Sequence, residues 1–379
     1  MRLSTAGLAT GLLLAACGSA AVQTPDVTSD IHVKLTPVVA EAEFPWGMVF
    51  LPNGDMLFTE KEGGLKRVPG GEGTPVPVSG LPEAYTDRQA GYLGLTLDPD
   101  FAANRLVYLA YSKGTPEANG AAIIHARLSD DGNALEDVTE IFWADRRDTA
   151  LHYGSRLQFA SDGTLYATLG EGFKYMDQAQ DPKITHGTVI RINPDGSIPA
   201  DNPFADGAVG HPAVWSYGHR NAQGLYFDAE TDTLFETEHG PKGGDELNVI
   251  KKGANYGWPK ITYGVNYDGT IITNQTEAEG MENPLSYWVP SIAPSGLTKL
   301  TSDVYPGWKG DLFSGGMNGP AGLKLVRIDM EDGKVVGRED LLTGDDAGFP
   351  IRDVIQGPDG HLYVATKDMD GIFRVDVAE

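Results

Sequence analysis

The sequence predicts an all-β protein, a six-bladed β-propeller with a central tunnel that can hold a cofactor. Three observations predict this fold: a short phrase repeated six times, a high content of turn-forming residues, and a scarcity of long amphipathic helical periods. The chain has 379 residues, of which 48 are glycine and 24 are proline. Because propellers run long as single domains, we assign residues 31–379 to one propeller domain.

The repeated phrase is a tight polar turn followed by an apolar or aromatic strand. Its six copies occupy residues 52–60, 101–112, 161–171, 229–238, 308–316 and 358–366. The turns contain residues that tolerate positive φ, such as Gly54 and Gly163, as tight hairpins require. The strands carry short apolar runs that suit burial on both faces. Six copies, at intervals of roughly 50 to 80 residues, predict six blades.

The two ends of the folded part are expected to pair. A short alternating run at residues 31–35 begins the propeller, and residues 371–375 form its last strand. Because a propeller must close its ring, often by pairing an N-terminal strand with the last blade, we expect the N-terminal strand to complete the last blade.

The first 30 residues predict export. Arg2 precedes an apolar stretch at 8–16 that is too short to span a bilayer, so residues 1–16 are interpreted as a signal peptide. The sequence Leu-Ala-Ala-Cys-Gly at 14–18 resembles a bacterial lipoprotein box, which predicts lipidation of Cys17. Residues 17–30 would then be a polar tether on the periplasmic side or outer surface of a bacterial membrane. The alternative is ordinary cleavage nearby with an incidental cysteine.

Composition excludes several classes of function. A formal net charge of −24 argues against a nucleic-acid partner, because phosphate binding needs a basic face. A single cysteine excludes an intramolecular disulfide and a multi-thiolate metal site. Neither a dinucleotide-binding Gly-x-Gly-x-x-Gly turn nor a Gly-x-Ser-x-Gly elbow is present in the required context.

Four polar segments carry the candidate chemistry. They are residues 87–94, 151–157, 217–224 and 238–248, the last running on to 255–259. His152 can accept a proton near neutral pH, and Arg220 with Asn221 can hold carboxylates or a quinone-like carbonyl. The pair Gly240-Pro241, followed by two acidic residues at 245 and 246, offers the oxygen ligands that Ca²⁺ prefers.

Together these segments resemble the glucose/sorbosone dehydrogenase family, soluble aldose sugar dehydrogenases that depend on pyrroloquinoline quinone (PQQ) and have six-bladed propellers. The resemblance covers about residues 44–354, and residues 195–204 and 291–296 bring it closer to the aldose sugar dehydrogenase branch. It implies an oxidoreductase that converts aldoses to lactones at the anomeric carbon with PQQ and Ca²⁺. It also implies an electron acceptor, either a quinone or a cytochrome, and contact with the membrane only through the lipid anchor.

The resemblance also implies roles for individual residues. His152 is similar to the general base that takes the proton from the anomeric hydroxyl, and Arg220 joins it at the catalytic centre. Cofactor-binding positions are matched by Gln89, Arg220, Asn221, Tyr267, Asn318 and Arg352. Gly240 and Pro241 match positions whose carbonyls hold the catalytic Ca²⁺, while Glu246 and Tyr256 resemble a further, structural Ca²⁺ site.

Two departures from the family pattern leave alternatives open. A family lysine falls at Asn318 and a family arginine at Pro350, with Lys324 or Lys242 as candidate replacements. Losing two cations weakens the expected hold on a tricarboxylate, which favours a sugar-binding propeller that has lost the quinone. The other alternative is a Ca²⁺-dependent propeller lactonase, which would need a carboxylate-rich metal cluster in the tunnel.

Overall fold

The computed structural model describes residues 24–318, 322–343 and 349–378, which form six four-stranded antiparallel sheets. This arrangement confirms the predicted six-bladed propeller. The predicted signal peptide at 1–16 and Cys17 lie outside the described residues. In the part of the chain that is described, no helix has the length and apolar character needed to cross a membrane.

Each blade is a meander of short strands, numbered here in chain order. Blade one contains β2 (Pro45–Phe50), β3 (Met56–Glu60), β4 (Gly64–Val68) and β5 (Val76–Val78). Blade two contains β6 (Tyr92–Leu97), β7 (Leu106–Thr115), β8 (Ala118–Leu128) and β9 (Leu135–Trp143). Blade three contains β10 (Leu157–Phe159), β11 (Leu165–Leu169), β12 (Thr188–Ile192) and β13 (Val214–Tyr217).

The second half of the ring repeats this plan. Blade four contains β14 (Ala222–Asp228), β15 (Thr233–Glu238), β16 (Asp245–Val249) and β17 (Ser286–Trp288). Blade five contains β18 (Pro294–Lys299), β19 (Leu312–Gly316), β20 (Leu325–Glu331) and β21 (Lys334–Leu341). Blade six contains β22 (Ile351–Gln356), β23 (Leu362–Thr366), β24 (Gly371–Val377) and β1 (Val33–Val39). The described helices are short: α1 (Phe101–Asn104) and two 3-10 turns at Pro69–Gly71 and Met176–Gln180.

The ring closes as the sequence predicts. In blade six the strand order is β1-β24-β23-β22, so the N-terminal strand forms the outer edge of the last sheet. β1 runs antiparallel to β24, with Val33 opposite Val377 and Leu35 opposite Val375. The backbone hydrogen bonds of this pair join the two ends of the chain and complete the ring.

All six copies of the repeated phrase lead into the second strand of a blade: β3, β7, β11, β15, β19 and β23. Every residue of β3 and β11 is buried, as expected for strands covered on both faces. The first strand of each blade lines the centre of the ring, where a channel of about 320 Å³ is bounded by residues from all six. Loops that follow the strands at the other end of this channel therefore converge on the axis.

Apolar residues fill the spaces between neighbouring blades. One buried cluster joins Tyr108 and Ile123 of blade two to Leu165 and Ile190 of blade three. A similar cluster joins blades five and six, with Phe313 against residues of β22 and β23. This packing makes a rigid ring on which polar loops can hold fixed positions.

The described part of the predicted tether contacts the propeller. The Val27 amide donates to the Arg338 carbonyl at 2.7 Å, and the Arg338 amide donates to the Pro25 carbonyl at 2.9 Å. The Ser29 amide donates to the Glu339 carboxylate at 2.6 Å, and Thr24 is buried. Residues 24–30 therefore lie along β21 as part of the folded body.

Candidate active site

A buried histidine–glutamate pair lies at the converging loops. His152 Nδ1 lies 2.7 Å from Glu171 Oε2, and the histidine is only 5% exposed. Glu171 is fully buried at the end of the repeated phrase in blade three, and the same carboxylate oxygen accepts the Phe173 amide. A carboxylate at Nδ1 holds the proton there, which leaves Nε2 as the acceptor. In the described part of the chain, Nε2 has no hydrogen-bond partner.

The pKa shifts of this pair favour a neutral base beside an ionised acid. Burial lowers the pKa of His152, Glu171 partly offsets this, and Arg220 lowers it further, so that the pKa lies below its ordinary value. Burial raises the pKa of Glu171, but His152 and Arg220 outweigh that effect and lower it overall. His152 is therefore neutral at pH 7 and able to accept a proton.

The loop that carries His152 is fixed by main-chain contacts. The His152 amide donates to Gln89 Oε1 at 2.7 Å, and the guanidinium of Arg147 donates to the His152 carbonyl at 2.8 Å. His152 has a φ of 50°, a conformation that non-glycine residues adopt at a cost and mainly where surroundings impose it. At Gly154, with φ of 63°, a Cβ would lie 2.8 Å from the Thr168 carbonyl group, so this close approach requires glycine.

Next to this loop is a cavity of about 210 Å³ at the channel axis. Gln89, Asn221 and Arg352 line it, as do His239 and the aromatic ring of Trp46. The lining also includes three further cationic side chains: Lys61, Arg88 and Lys367. No carboxylate occurs among the described lining residues. The cavity therefore presents positive charge, amide groups and an aromatic surface to a ligand.

Arg352 is a buried cation without an acidic partner in the described part of the chain. The adjacent Asp353 is paired with Arg156, whose Nη1 lies 2.8 Å from Asp353 Oδ1. Arg352 donates instead to Gln223 Oε1 at 2.5 Å and packs on Trp46, 4.3 Å from the ring centre. Burial and the neighbouring Arg156 lower the pKa of Arg352 well below its usual range, and the charge of Asp353 offsets this only in part. An anion in the cavity would relieve this unbalanced charge.

Arg220 joins the histidine pair to the second polar cluster. Its Nη1 donates to the carbonyls of His239 at 3.0 Å and Gly240 at 2.7 Å. Its Nη2 lies 3.4 Å from the hydroxyl of Tyr267, which is 60% exposed, and its backbone amide donates to Glu238. The guanidinium is therefore held rigidly beside His152.

A second, small cavity of about 10 Å³ is lined in part by Arg220 and has room for one ion or water. Gly240, Glu238, Glu246 and Tyr256 line it. Behind it, Asn248 Nδ2 donates to Glu238, Glu246 and Glu236 at 3.1 to 3.3 Å. Burial and then the charge of Glu238 raise the pKa of both Glu236 and Glu246 well above the ordinary value. Crowded buried carboxylates of this kind favour a bound cation.

The structure brings most predicted site residues together. Gln89, Asn221 and Arg352 share the larger cavity, and Gly240, Glu246 and Tyr256 share the smaller one. Arg220 lines only the smaller cavity, and four predicted residues line neither cavity: Pro241, Asn318, His152 and Tyr267. The Asn318 amide donates to the Ile292 carbonyl at 3.1 Å, and its neighbour Met317 lines the larger cavity instead. The Tyr256 hydroxyl donates to the Val249 carbonyl, so only other atoms of this residue are free to face a cation.

Two lysines and one aspartate that the sequence suggested as cofactor or metal contacts do not take those roles in the structure. Lys324 is paired with Asp340 at 2.6 Å, and Lys242 does not line the larger cavity, so neither replaces the missing cations there. Asp245 accepts hydrogen bonds from Ser291 and from the amides of Gly240, Ile292 and Ala293, so it shapes the turn and is not available as a ligand.

Sequence reasoning missed Glu171, Lys61, Lys367 and the pair Glu236 and Glu238. A signal for the acids was present: three copies of the repeated phrase end in glutamate, at Glu60, Glu171 and Glu238. The ends of these second strands face the converging loops. The two lysines carry no comparable pattern in sequence.

The family profile, a curated relative and two solved structures all match the same class of sugar dehydrogenase. A family profile described as "Glucose / Sorbosone dehydrogenase" matches residues 42–375. "Aldose sugar dehydrogenase YliI" of Escherichia coli is 37% identical over 94% of this chain and 94% of that protein. The crystal structure of the apo-form of the soluble aldose sugar dehydrogenase from Escherichia coli has a TM-score of 0.84 at 35% identity, and covers 91% of this chain and 100% of that one. The PQQ-bound aldose sugar dehydrogenase of Streptomyces coelicolor has a TM-score of 0.75 at 28% identity, over 91% and 98% of the two chains.

Proposed function

The chain belongs to the glucose/sorbosone dehydrogenase family, and we propose from this that it oxidises aldoses at the anomeric carbon to lactones with PQQ and Ca²⁺. The observation that carries the proposal is the buried His152–Glu171 pair beside a cation-lined cavity. The sugar dehydrogenase named in Escherichia coli and the PQQ-bound relative in Streptomyces coelicolor support both the substrate class and the cofactor.

The residues of the larger cavity fit a planar, anionic quinone. Arg352 lacks an acidic partner among the described residues, and the lining offers no carboxylate there to repel such a ligand. Trp46 provides an aromatic face, and Gln89 with Asn221 provides amide groups. Arg352, Gln89 and Asn221 line this cavity and would hold PQQ. We propose that Arg220 and Tyr267, which lie outside the lining, contact it as well.

In the proposed reaction, the chain moves a proton and orients the sugar. PQQ, when bound, supplies a hydride acceptor for the hydrogen of the anomeric carbon. His152 Nε2 takes the proton of the anomeric hydroxyl as the carbon–oxygen double bond of the lactone forms. Glu171 keeps the other ring proton on Nδ1 and stabilises the imidazolium that results. Arg220, held by the Gly240 carbonyl, places a fixed positive charge beside His152 for negative charge that develops.

The smaller cavity fits a hard cation. Its carboxylate and carbonyl oxygens are the ligands that Ca²⁺ prefers, and the half-buried Glu246 forms no ion pair in the described part of the chain. We propose Glu246, Glu238 and the Gly240 carbonyl as its ligands, with Tyr256 contributing through main-chain atoms only. Pro241 lies outside this cavity and is not included among the proposed ligands. The neighbouring group of His219, Glu236 and Glu238 has ligand atoms within 4.8 Å of one another and supports the same region as a cation site.

The lactonase alternative loses support. A lactonase of this fold would need carboxylates around a metal in the tunnel, whereas the described lining of the larger cavity is cationic. The carboxylate cluster lies to one side, on β15 and β16.

The proposal is tested by dye reduction with purified protein, using PQQ and Ca²⁺ separately and together across a panel of aldoses. We expect turnover only when both are present, and a lactone as the product of the preferred sugar. Failure to bind PQQ in a titration, together with no turnover on any aldose, would contradict the proposal.

Ca²⁺ is expected to stabilise the apo-protein, and more strongly at pH 8 than at pH 5. The raised pKa values of Glu236 and Glu246 mean that the folded protein keeps protons which the unfolded chain releases above its ordinary carboxyl pKa. Stability is therefore present at low pH and lost as pH rises through the folded pKa values, unless a cation replaces the protons. At a hundredfold excess over Kd, Ca²⁺ would add about 2.7 kcal/mol.

Thermal unfolding in Ca²⁺ and in a chelator, at both pH values, measures this effect. Glu246→Gln should reduce the Ca²⁺-dependent rise in Tm, whereas Glu279→Gln, at an exposed position, should not. An equal response to Ca²⁺ in the wild-type protein and Glu246→Gln would argue against this site.

We also propose that the protein is exported and anchored by lipid at Cys17, which would keep it near a membrane-bound quinone or a cytochrome as electron acceptor. Intact-mass measurement of protein from membranes, compared with Cys17→Ala, would detect the added lipid. A soluble wild-type protein without it would refute the anchor.

A further inference from the structure

The larger cavity is positively charged within a strongly acidic protein. Lys61, Arg88, Lys367 and Arg352 all contribute cations to a lining whose described residues include no carboxylate, while the whole chain has a formal net charge of −24. A concentration of positive charge against such a background attracts an anion. Of these cations, only Arg352 was expected from the sequence.

One aromatic ring positions both lysines. Nζ of Lys61 lies 5.4 Å from the centre of the Phe44 ring, and Nζ of Lys367 lies 5.2 Å from the same centre. A cation–π contact orients an ammonium group without neutralising it. Phe44 itself lines the cavity, so the two ammonium groups are held at its wall.

Lys61 is unusual because it is only 6% exposed. Its Nζ donates to the Arg88 carbonyl at 3.0 Å and to Glu62 at 2.5 Å. The Glu62 side chain is 67% exposed, so solvent screens this pair and leaves much of the lysine charge available. Among the described residues no buried carboxylate pairs with Lys61, so its ammonium group is available to a bound anion.

Lys367 lies beside the position where the sequence lacks a cation. Its backbone amide donates to the Pro350 carbonyl at 3.1 Å, since the β22–β23 hairpin pairs Ile351 with Thr366. Lys367 directly follows β23 and Pro350 directly precedes β22, so the exposed lysine side chain lines the cavity beside Pro350. The residue after β23 therefore supplies a charge that the residue before β22 lacks.

We propose that Lys61 and Lys367 bind the carboxylates of the anionic cofactor, and that with Arg352 they form a rim selective for an aromatic polycarboxylate. This inference rests on the proposed function, because it assigns the cofactor of that reaction to these lysines. Charge-assisted hydrogen bonds from lysine to carboxylate are of the strength needed to replace contacts from other cations.

The test measures the affinity of the purified full chain for PQQ, in Ca²⁺, by quenching of tryptophan fluorescence at two salt concentrations. Lys61→Met and Lys367→Met are each expected to raise Kd about tenfold and to weaken its salt dependence. Lys61→Arg should keep most of the affinity. Lys309→Met, which removes an exposed lysine paired with Asp303, is the matched control and should leave Kd unchanged.

The apo-protein Tm separates loss of binding from loss of folding, because an unchanged Tm with a raised Kd assigns the effect to the cavity. If the wild-type protein binds PQQ and oxidises sugars while both methionine variants bind equally well, the inference is wrong and the proposed function stands.

A second anionic probe shows whether the lysines bind carboxylates even if the protein does not bind PQQ. Benzene-1,3,5-tricarboxylate should raise the Tm of the wild-type protein, and less so that of the two methionine variants. If PQQ does not bind but this anion does so in a lysine-dependent way, the rim stands and the proposed function fails. Absence of any response to either anion overturns both.

Discussion

His152→Ala is expected to lower kcat for aldose oxidation by about 10² to 10⁴, because a positioned general base contributes that much to proton transfer. The geometry predicts the loss: Nε2 is the free acceptor of a ring whose Nδ1 is held by Glu171 at 2.7 Å. PQQ affinity should change little, since His152 lies outside the described lining of the larger cavity. Steady-state kinetics and a PQQ titration measure the two quantities separately.

Glu171→Gln is the matched variant for this prediction. Removing the carboxylate removes an influence that raises the pKa of His152, so the acidic limb of the kcat profile should move to lower pH while kcat itself falls. Full activity in His152→Ala, or an acidic limb in Glu171→Gln that moves to higher pH, would show that another group is the base.

The repeat pattern predicted the fold because blade strands are defined by local features. Turn residues such as Gly54 and fully buried apolar runs such as Met56-Leu57-Phe58 specify the second strand of a blade without reference to the rest of the chain. Ring closure was predicted because a propeller commonly joins its first and last blades by pairing the two ends of the chain. The contact of residues 24–30 with β21 was missed, since a polar segment gives no periodic signal for its docking position.

The candidate site was predicted only where residues lie in one segment or match a family position. His152, Arg220 and Gln89 were found in this way, and the structure brings them to one place. Glu171 meets His152 from the end of β11, a contact that depends on the loop of residues 152–155 folding back over that strand. Lys61 and Lys367 come from different blades and meet at Phe44, so no local pattern could join them.

Two buried arginines pack on the same tryptophan but differ in whether they form an ion pair. Arg156 and Arg352 both lie 4.3 Å from the ring centre of Trp46, and both are buried. Arg156 is paired with Asp353, whereas the hydrogen-bond partners of the Arg352 guanidinium among the described residues are both uncharged, the Gln223 amide and the Met317 sulfur. Their chemistry and location match, so they differ mainly in whether a carboxylate of the chain balances the charge.

Arg352→Met is therefore expected to stabilise the apo-protein by about 1 kcal/mol or more while raising the Kd for PQQ about a hundredfold. Arg156→Met should do the opposite to stability: it removes the ion-pair partner of the buried Asp353 and leaves it only the Met48 amide as a donor, which costs about 3–5 kcal/mol. Denaturant unfolding and PQQ titration of both variants measure the two effects. Equal destabilisation by the two substitutions would make Arg352 a structural cation. A lower Tm in Arg156→Met together with a higher Tm and weak PQQ binding in Arg352→Met would mean that the protein keeps Arg352 unpaired for its ligand, at the expense of its own stability.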